Sequence, residues 1–418
     1  MLFRFSLYGF LKNQRYFEPF MVLFFMDQGL SFAQIGWLVA IRELTANLME
    51  IPSGALADLY GRRRAMIISF TAYMVSFLVF ATGTSFARFA LAMFLYAFGD
   101  AFRTGTHKAM IFTWLRAEGR LAEKTRVYGF TRSWSKLGSA LSIVIATVLM
   151  VTLGEYRWVF LLSIVPYAVG LVNFLFYPAW LDGDRRVDVS LPTVYRHLQE
   201  TLAQMARSAD LRRLVSESMT FEGTFKVVRD YLQPLTRQAA LGAPLLLALN
   251  EQTRGPVLIG VVYLTLYVLS AWASRNAHRL VDRFGNEERG VAVVWRLTGL
   301  VYFALVPLLW QGWTGPAIGL FVILNLLQNF FRPLHISRFD AYGAEHQGAT
   351  ILSVESQAKG LAAMVMAPLL GWLVDRATAA TFDPVQGLWP IGVVGVVLAL
   401  LMILSAGKGL GNREISSV

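Results

Sequence analysis

The sequence predicts an all-α integral membrane protein in which twelve transmembrane helices form two six-helix bundles. Composition is the first observation: of 418 residues, 56% are hydrophobic and only 16% are charged, against about 45–50% and 25% in soluble domains. The second is that apolar segments recur along the whole chain, each near the ~20 residues that a membrane-spanning helix needs. The third is a polar stretch near the middle that divides these segments into two groups of six.

The composition also removes several classes of function. The chain contains no cysteine, which excludes iron–sulfur clusters, thiolate zinc sites and cysteine nucleophiles. Its five histidines are scattered, without a carboxylate cluster at the spacing of metal ligands. The sequence lacks a glycine-rich phosphate loop, so ATP is not expected to drive the protein directly. We therefore predict a protein that is not an enzyme and that uses no metal or cofactor.

Twelve apolar segments account for the predicted helices. In chain order they cover residues 5–26, 32–56, 66–83, 88–114, 127–152, 156–178, 214–236, 256–274, 291–311, 315–339, 351–374 and 387–406. The first segment is not expected to be a cleavable signal peptide, because Lys12, Arg15 and Glu18 lie at its centre, where a signal peptide is uniformly apolar. Trp158 and Trp310 lie near segment ends, as expected of aromatic residues at a membrane interface.

Lysine and arginine in the connecting segments predict the orientation. With the N-terminus in the cytoplasm, the cytoplasmic segments hold 20 of these bases and the opposite side holds 5. Because basic residues accumulate in cytoplasmic loops, we expect a multi-pass protein of the inner membrane with both termini cytoplasmic. The formal net charge of +11 then reflects topology. The bases are spread between helices rather than gathered in one patch, so nucleic acid is not an expected partner.

The longest polar stretch predicts the domain organisation. We expect an N-terminal six-helix bundle over residues 1–178, a cytoplasmic linker over 179–213 and a C-terminal six-helix bundle over 214–418. The two halves also share a short motif after the second apolar segment of each. Leu56–Gly61 and Leu280–Gly285 repeat leucine, aspartate and glycine at a constant offset of 224 positions. This match indicates an internal repeat, which is common in membrane transporters.

The first copy of the motif, Gly54 to Arg64, is the sharpest local signal in the chain. Gly54 is expected to let a neighbouring helix approach closely, and Gly61 to permit a tight turn. Asp58 can accept hydrogen bonds from a helix N-terminus or from a base such as Arg62. An ordinary arginine-rich cytoplasmic loop is the alternative interpretation.

This segment resembles motif A of the major facilitator superfamily, whose pattern is Gly-x-x-x-Asp-(Arg/Lys)-x-Gly-(Arg/Lys)-(Arg/Lys). Leu59 departs from the pattern, since the family usually has a base at that position. The second copy is similar but degenerate, with Asp282 and Gly285 retained. The resemblance implies alternating access by two six-helix bundles, with Gly54, Asp58, Gly61 and Arg62 helping to close the cytoplasmic side.

Two other segments refine the resemblance. Residues 100–108 and 225–234 look like those of a bacterial subgroup of the superfamily that has no defined substrate. The antiporter signature Gly-x-x-x-Gly-Pro is absent from the fifth apolar segment, where Trp134 to Ser139 stand. The sequence therefore does not indicate a typical drug/proton antiporter.

Charged residues inside the apolar segments are the candidates for a transport pathway. Besides Arg88 and Arg157 at segment ends, thirteen bases and eight acids lie there, and each charge at the bilayer centre costs about 2.5–3.5 kcal/mol. They are expected to face one another or an aqueous cavity. The pathway candidates are Arg15, Glu18, Asp100, Arg103, His107, Lys108, Arg132, Lys136, Glu222, Lys226, Arg229, Asp230, Asn329 and Arg332. For each of them a structural ion pair between helices is the alternative interpretation.

At about 100° per residue, polar residues share a face on segments 4, 7 and 10, and segment 1 is also charged. In the resembled family these four segments line the central cavity. The surplus of bases favours an anionic or zwitterionic small solute. Glu18, Asp100 and Glu222 are candidates for proton coupling, because a carboxylate beside a base changes its pKa as the cavity opens and closes.

We therefore predict a secondary transporter that moves a polar small solute, together with protons, by alternating access. The protein is expected to act as a monomer in a lipid bilayer. An exporter of lipophilic drugs is an alternative, although it would use a mainly apolar, aromatic cavity. A membrane sensor or scaffold of the same fold, without transport, is the alternative from another class.

Overall fold

The computed structural model describes residues 1–182, 208–340 and 348–415, and every regular element in these ranges is helical. The helices of the first half are α1 (Leu2–Leu11), α2 (Met21–Asp27), α3 (Phe32–Tyr60), α4 (Arg62–Thr82), α5 (Phe86–Arg103), α6 (Thr106–Ala117), α7 (Lys124–Leu153) and α8 (Tyr156–Leu175). Those of the second half are α9 (Ala209–Ser218), α10 (Thr224–Val228), α11 (Leu232–Gly242), α12 (Glu251–Arg275), α13 (His278–Phe284), α14 (Glu287–Trp310), α15 (Thr314–Asp340), α16 (Gly348–Thr381) and α17 (Pro390–Ile415).

Eight helical segments in the described ranges are long and apolar enough to cross a membrane. They are Arg62–Thr82, Leu121–Leu153, Tyr156–Leu175, Glu251–Arg275, Glu287–Trp310, Thr314–Phe339, Ile351–Thr381 and Gln386–Ser405. Large apolar side chains such as Phe303, Val268 and Leu404 are exposed on these helices. A soluble protein would bury such residues, whereas a bilayer solvates them. The predicted all-α membrane architecture is confirmed at this level.

The predicted first and fourth segments are wrong as continuous helices. Residues 5–26 divide into α1, a 3₁₀ turn over Glu18–Phe20 and α2, because the polar residues from Lys12 to Glu18 precede Pro19. Segment 88–114 divides into α5 and α6 at Gly105, whose φ of +80° is incompatible with a right-handed helix. Asp100 and His107 therefore lie on two different helices, not on one face of a single helix.

The predicted seventh segment also changes its helical pitch. A π-helical turn over Met219–Gly223 follows α9, and a 3₁₀ turn over Arg229–Tyr231 separates α10 from α11. The uniform 100° spacing assumed for Glu222, Lys226 and Asp230 is therefore wrong. A π turn inserts an extra residue into the helix, and such turns occur frequently at functional sites.

The chain divides into two compact units. The first comprises Met1–Leu30, Ile41–His197 and Leu249–Gly260, and the second comprises Ser31–Ala40, Leu198–Ala248 and Val261–Val418. Residues 183–207 of the predicted linker lie outside the described residues. The domain boundaries at 178 and 214 stay a prediction.

Aromatic side chains hold the first unit together. Helix α4 packs against α5 and α8, and α1 packs against α7. The ring of Phe17 stacks on Phe160 at 5.3 Å between centroids, and Phe70 packs edge-on against Tyr73 and Phe174. Such pairs contribute about 0.5–1.5 kcal/mol each beyond the burial of their area. The unit therefore has a rigid aromatic core, against which α1 and α7 position polar side chains.

The second unit has its own core, in which α14 packs against α15 and α17. Phe221 stacks on Phe331 with 4.2 Å between ring centroids, and Trp295 meets both rings edge-on. This stack places the π-helical turn beside α15.

Candidate functional site

A cavity of about 370 Å³ opens in the first unit. Residues of α1, of the turn after it, of α6 and of α7 line it, together with the last residue of α5. The lining residues are Phe5, Tyr8, Gly9, Lys12, Asn13, Arg103, Gly105, His107, Lys108, Ile111, Tyr128, Thr131, Arg132, Ser135, Lys136 and Ser139. Its volume suits a small solute, since ligand pockets usually measure about 300–1,000 Å³.

The charge of this cavity has one sign. Five of the lining residues are lysine or arginine, and the described lining contains neither aspartate nor glutamate. One base, Arg103, is neutralised by Asp100. The other four bases form no ion pair with a described residue; they are Lys12, Lys108, Arg132 and Lys136. Uncompensated charges in a cleft attract counter-ions, so the cavity is suited to an anion.

Aromatic rings support two of these ammonium groups. Lys12 Nζ lies 5.4 Å from the centroid of the Tyr8 ring, and Lys108 Nζ lies 5.6 Å from that of Tyr128. A ring face attracts a cation without neutralising it. The imidazole of His107 stacks on Tyr8 with 3.7 Å between centroids and is 7% exposed. Among the described residues, His107 Nε2 finds no hydrogen-bond partner.

The break at Gly105 adds a further positive element. Gly105 is the N-cap of α6, and no side chain caps this helix. The first amide groups of a helix have no partner within it and carry a partial positive charge. Gly105, His107 and Lys108 all line the cavity, so the start of α6 belongs to its wall.

The predicted acid–base pairs near the cavity are present. Arg103 binds the Asp100 carboxylate, and the Tyr73 hydroxyl donates to Asp100 Oδ1 at 2.6 Å. Arg103 Nε also donates to the Tyr73 oxygen at 3.1 Å. Arg15 and Glu18 lie 3.9 Å apart. Their role in proton coupling stays a prediction.

The second unit gathers predicted residues into a neutral network. Arg332 donates to both carboxylate oxygens of Glu222 at 2.9 and 3.0 Å and to Glu355 at 2.7 Å. Lys359 lies 3.0 Å from each of these two carboxylates. Two acids and two bases thus balance one another. Ser218 also donates to Glu355, so the network is firmly held.

A second ion cluster, buried at Arg338 and Glu217, was not predicted. Arg338 pairs with Glu217 and with Glu288, and Arg213 lies 2.9 Å from both acids. The spacing of Arg213 and Glu217 by four residues was a signal for one of these pairs. The cross-helix partners have no sequence signal, because members such as Arg213 and Glu288 or Glu217 and Arg338 lie 75 and 121 positions apart.

Four remaining candidates also lie in the second unit. The Asn329 amide donates to the Ser270 hydroxyl at 3.0 Å and ties α15 to α12. Lys226 is exposed on α10, while Arg229 and Asp230 are half-buried in the 3₁₀ turn. None of the four lines the cavity of the first unit.

The motif around Gly61 forms a turn between α3 and α4. Gly61 has a φ of +103°, and Arg62 lies 3.5 Å from Asp58 and donates to Thr113 at 2.9 Å. Asp182 accepts the N–H of Arg63 at 2.7 Å, a contact that the sequence did not reveal. The expected close approach at Gly54 is not seen, because no neighbouring described atom lies within 4 Å of the position that a Cβ would occupy there.

The degenerate second copy is simpler. Gly285 caps the C-terminus of α13 with a φ of +91°, and Asp282 is exposed on that helix.

Sequence reasoning also missed Tyr8 and Tyr73, since a tyrosine in an apolar segment carries no positional signal. Within the described ranges, no group of three histidine, aspartate or glutamate residues is placed to hold a metal ion.

Comparisons with known proteins agree with the architecture. The Major Facilitator Superfamily profile matches residues 13–410. The "Uncharacterized MFS-type transporter YxaM" of Bacillus subtilis (strain 168) is 24% identical over 203 residues. That match covers 49% of this chain and 46% of YxaM, so it spans just under half of the curated relative.

Solved structures resemble nearly the whole chain. The crystal structure of nucleoside transporter NupG is similar with a TM-score of 0.78 at 13% identity, covering 97% of this chain and 99% of NupG. A D-xylose-proton symporter is similar with a TM-score of 0.68 at 16% identity, covering 96% of each chain. At these identities the likeness shows the fold alone.

Proposed function

The chain belongs to the major facilitator superfamily, and on this basis we propose that it is a secondary transporter of a small anion that works by alternating access. The observation that supports the proposal is the cavity of the first unit, where four bases have no carboxylate partner among the described residues and the described lining holds no acid. Each unpaired charge in a membrane protein is costly unless water or a ligand stabilises it. An anion supplies the missing negative charge.

A zwitterionic solute fits this cavity less well. Its ammonium group would need a carboxylate or a ring of acceptors, whereas the lining presents five bases. Glu222 and Glu355 of the second unit are already engaged by Arg332 and Lys359. We therefore favour an anion over a zwitterion.

The drug-exporter alternative has a weaker site. A mostly apolar pocket in the second unit, lined by Phe221, Trp295, Tyr302 and others, holds about 10 Å³. That is about the space of one water molecule. The charged cavity is larger by far, so a charged solute is the better candidate.

Proton coupling extends the proposal. Asp100 is bound by Tyr73 and by Arg103, which lines the cavity, and Glu18 lies beside Arg15. A carboxylate whose base is drawn toward a bound anion loses part of its stabilisation and gains proton affinity. The bound anion and the carboxylate would thus compete for the same base. The anion would be imported together with the proton that the carboxylate takes up. The proposal includes a monomeric protein in the inner membrane, with both termini in the cytoplasm.

Uptake into proteoliposomes tests the proposal. The purified protein is reconstituted, an inward proton gradient is imposed, and radiolabelled inorganic phosphate, succinate, glucose and leucine are compared. We expect accumulation of an anion and not of glucose or leucine, and its collapse when an uncoupler dissipates the gradient. Transport of the neutral or zwitterionic solutes alone would refute the anion assignment.

A further inference from the structure

We propose that the solute carries at least two negative charges, and that one of its oxyanion groups binds at the first turn of α6. The inference rests on the proposed function and narrows its substrate class to small multivalent oxyanions, such as dicarboxylates or phosphate monoesters. Three independent features of the cavity lead to it: the number of unpaired bases, the uncapped helix and the imidazole without a partner among the described residues.

The number of unpaired bases in the cavity indicates how many negative charges the solute carries. Lys12, Lys108, Arg132 and Lys136 contribute up to four positive charges, since Arg103 is paired with Asp100. A monoanion would leave up to three charges of like sign within one cavity of about 370 Å³. Like charges at close range repel one another strongly where water is scarce. A dianion or trianion relieves most of this repulsion.

The start of α6 provides the place for an oxyanion group. Gly105 stops α5 from continuing, so α6 begins at the cavity wall with its amide groups uncapped by any side chain. A helix of 12 residues carries a partial positive charge at this end, and discontinuous helices in transporters present such ends to anionic groups. Lys108 follows within the first turn and adds a full charge.

His107 lies in the same turn. Its ring stacks on Tyr8, while Nε2 has no partner among the described residues. A buried polar atom without a hydrogen bond destabilises the folded protein, because it has given up its bonds to water. A carboxylate or phosphoryl oxygen at the helix start would satisfy this nitrogen after a small shift of the ring.

Binding of a matched charge series tests the valence. Succinate, succinamate and succinamide share one carbon skeleton and carry two, one and no negative charges at neutral pH; glycerol 3-phosphate and glycerol form the phosphate pair. Calorimetry with the purified wild-type protein measures each dissociation constant. We expect the dianions to bind at least about tenfold more tightly than succinamate, and the neutral compounds not to bind.

Two pairs of variants test the site. Lys136→Gln removes a cavity base, whereas Lys124→Gln removes an exposed base from the same helix outside the cavity. Gly105→Ala and Gly119→Ala both place alanine at a positive φ with open space around it, and only Gly105 lines the cavity. We expect Lys136→Gln and Gly105→Ala to weaken dianion binding about tenfold, and the two controls to leave it unchanged.

His107→Phe and His107→Gln complete the test. Phenylalanine keeps an aromatic ring against Tyr8 but has no nitrogen, and glutamine restores a donor; a binding role predicts weak binding in the first and partial rescue in the second. A purely structural role would lower the melting temperature without changing affinity. Equal affinity for succinate and succinamate, with Gly105→Ala behaving like Gly119→Ala, would overturn the inference and leave the proposed function standing. Binding of neutral compounds without any anion would refute both.

Discussion

The hydroxyl of Tyr73 donates a 2.6 Å hydrogen bond to Asp100, the carboxylate that neutralises Arg103. Arg103 lines the cavity and Asp100 does not. The carboxylate therefore controls how much of the Arg103 charge reaches a bound solute. Under the proposed function, this pair would link anion binding to protonation.

We expect Asp100→Asn to tighten anion binding and to abolish proton-driven uptake. The amide frees Arg103, which becomes a fifth uncompensated base, but it removes the group that would take up the proton. Calorimetry and proteoliposome uptake measure the two effects separately. Tyr73→Phe is the control, because it removes the two hydrogen bonds of the Tyr73 hydroxyl, each worth about 1 kcal/mol, and keeps the Asp100–Arg103 ion pair. Weaker anion binding in Asp100→Asn would contradict this assignment.

The four-membered network of the second unit predicts a compensating double variant. Arg332→Gln leaves Glu222 and Glu355 with Lys359 as their one remaining base in the network, and we expect it to lower the free energy of unfolding by up to about 3 kcal/mol. Adding Glu222→Gln restores the charge balance and should recover part of the loss. Thermal unfolding of the single and double variants gives the interaction free energy between Arg332 and Glu222. Arg296→Gln, an exposed base on α14, is the control.

If the losses in the free energy of unfolding caused by Arg332→Gln and by Glu222→Gln simply add up in the double variant, the network does not act as a unit. Additivity is the usual result for groups that do not touch. Here the guanidinium contacts both carboxylates within 3.0 Å, so coupling is the expected result.

The architecture was predictable from the sequence because apolar length and basic loops are local signals. The Asp100–Arg103 and Arg15–Glu18 pairs were predictable as well, since their members are three residues apart. The contact of Glu222 with Arg332, 110 positions away, was not, because helix packing sets it. The helix break at Gly105 was also missed, because one glycine in an apolar segment is compatible with a continuous helix.

The turn at Gly61 predicts different outcomes for two glycines of one motif. Alanine at Gly61 would hold a φ of +103° and approach the Asp182 carboxylate at 2.7 Å, so we expect Gly61→Ala to cost at least about 1–2 kcal/mol of stability. Gly54 lies within α3 with open space around it. Gly54→Ala should leave stability unchanged or raise it by about 0.5–1 kcal/mol.

Uptake measurements on the same two variants separate stability from the proposed gating role. If another helix must approach Gly54 during the cycle, Gly54→Ala will transport slowly although its melting temperature is not lowered. If Gly54→Ala takes up the solute at the wild-type rate, Gly54 has no role in the gate. Equal melting temperatures for the wild-type protein and Gly61→Ala would contradict the strained turn.

The predicted orientation can be tested without first removing any native thiol, because the chain contains no cysteine. Glu118 follows α6 and Glu155 precedes α8, and both side chains are exposed in surface ion pairs that contribute little to stability. We expect a membrane-impermeant maleimide to label Glu155→Cys in intact cells, and to label Glu118→Cys only after permeabilisation. The reason is the basic cluster from Arg116 to Arg126, which should remain on the cytoplasmic side. The reverse pattern would invert the topology and place both termini outside.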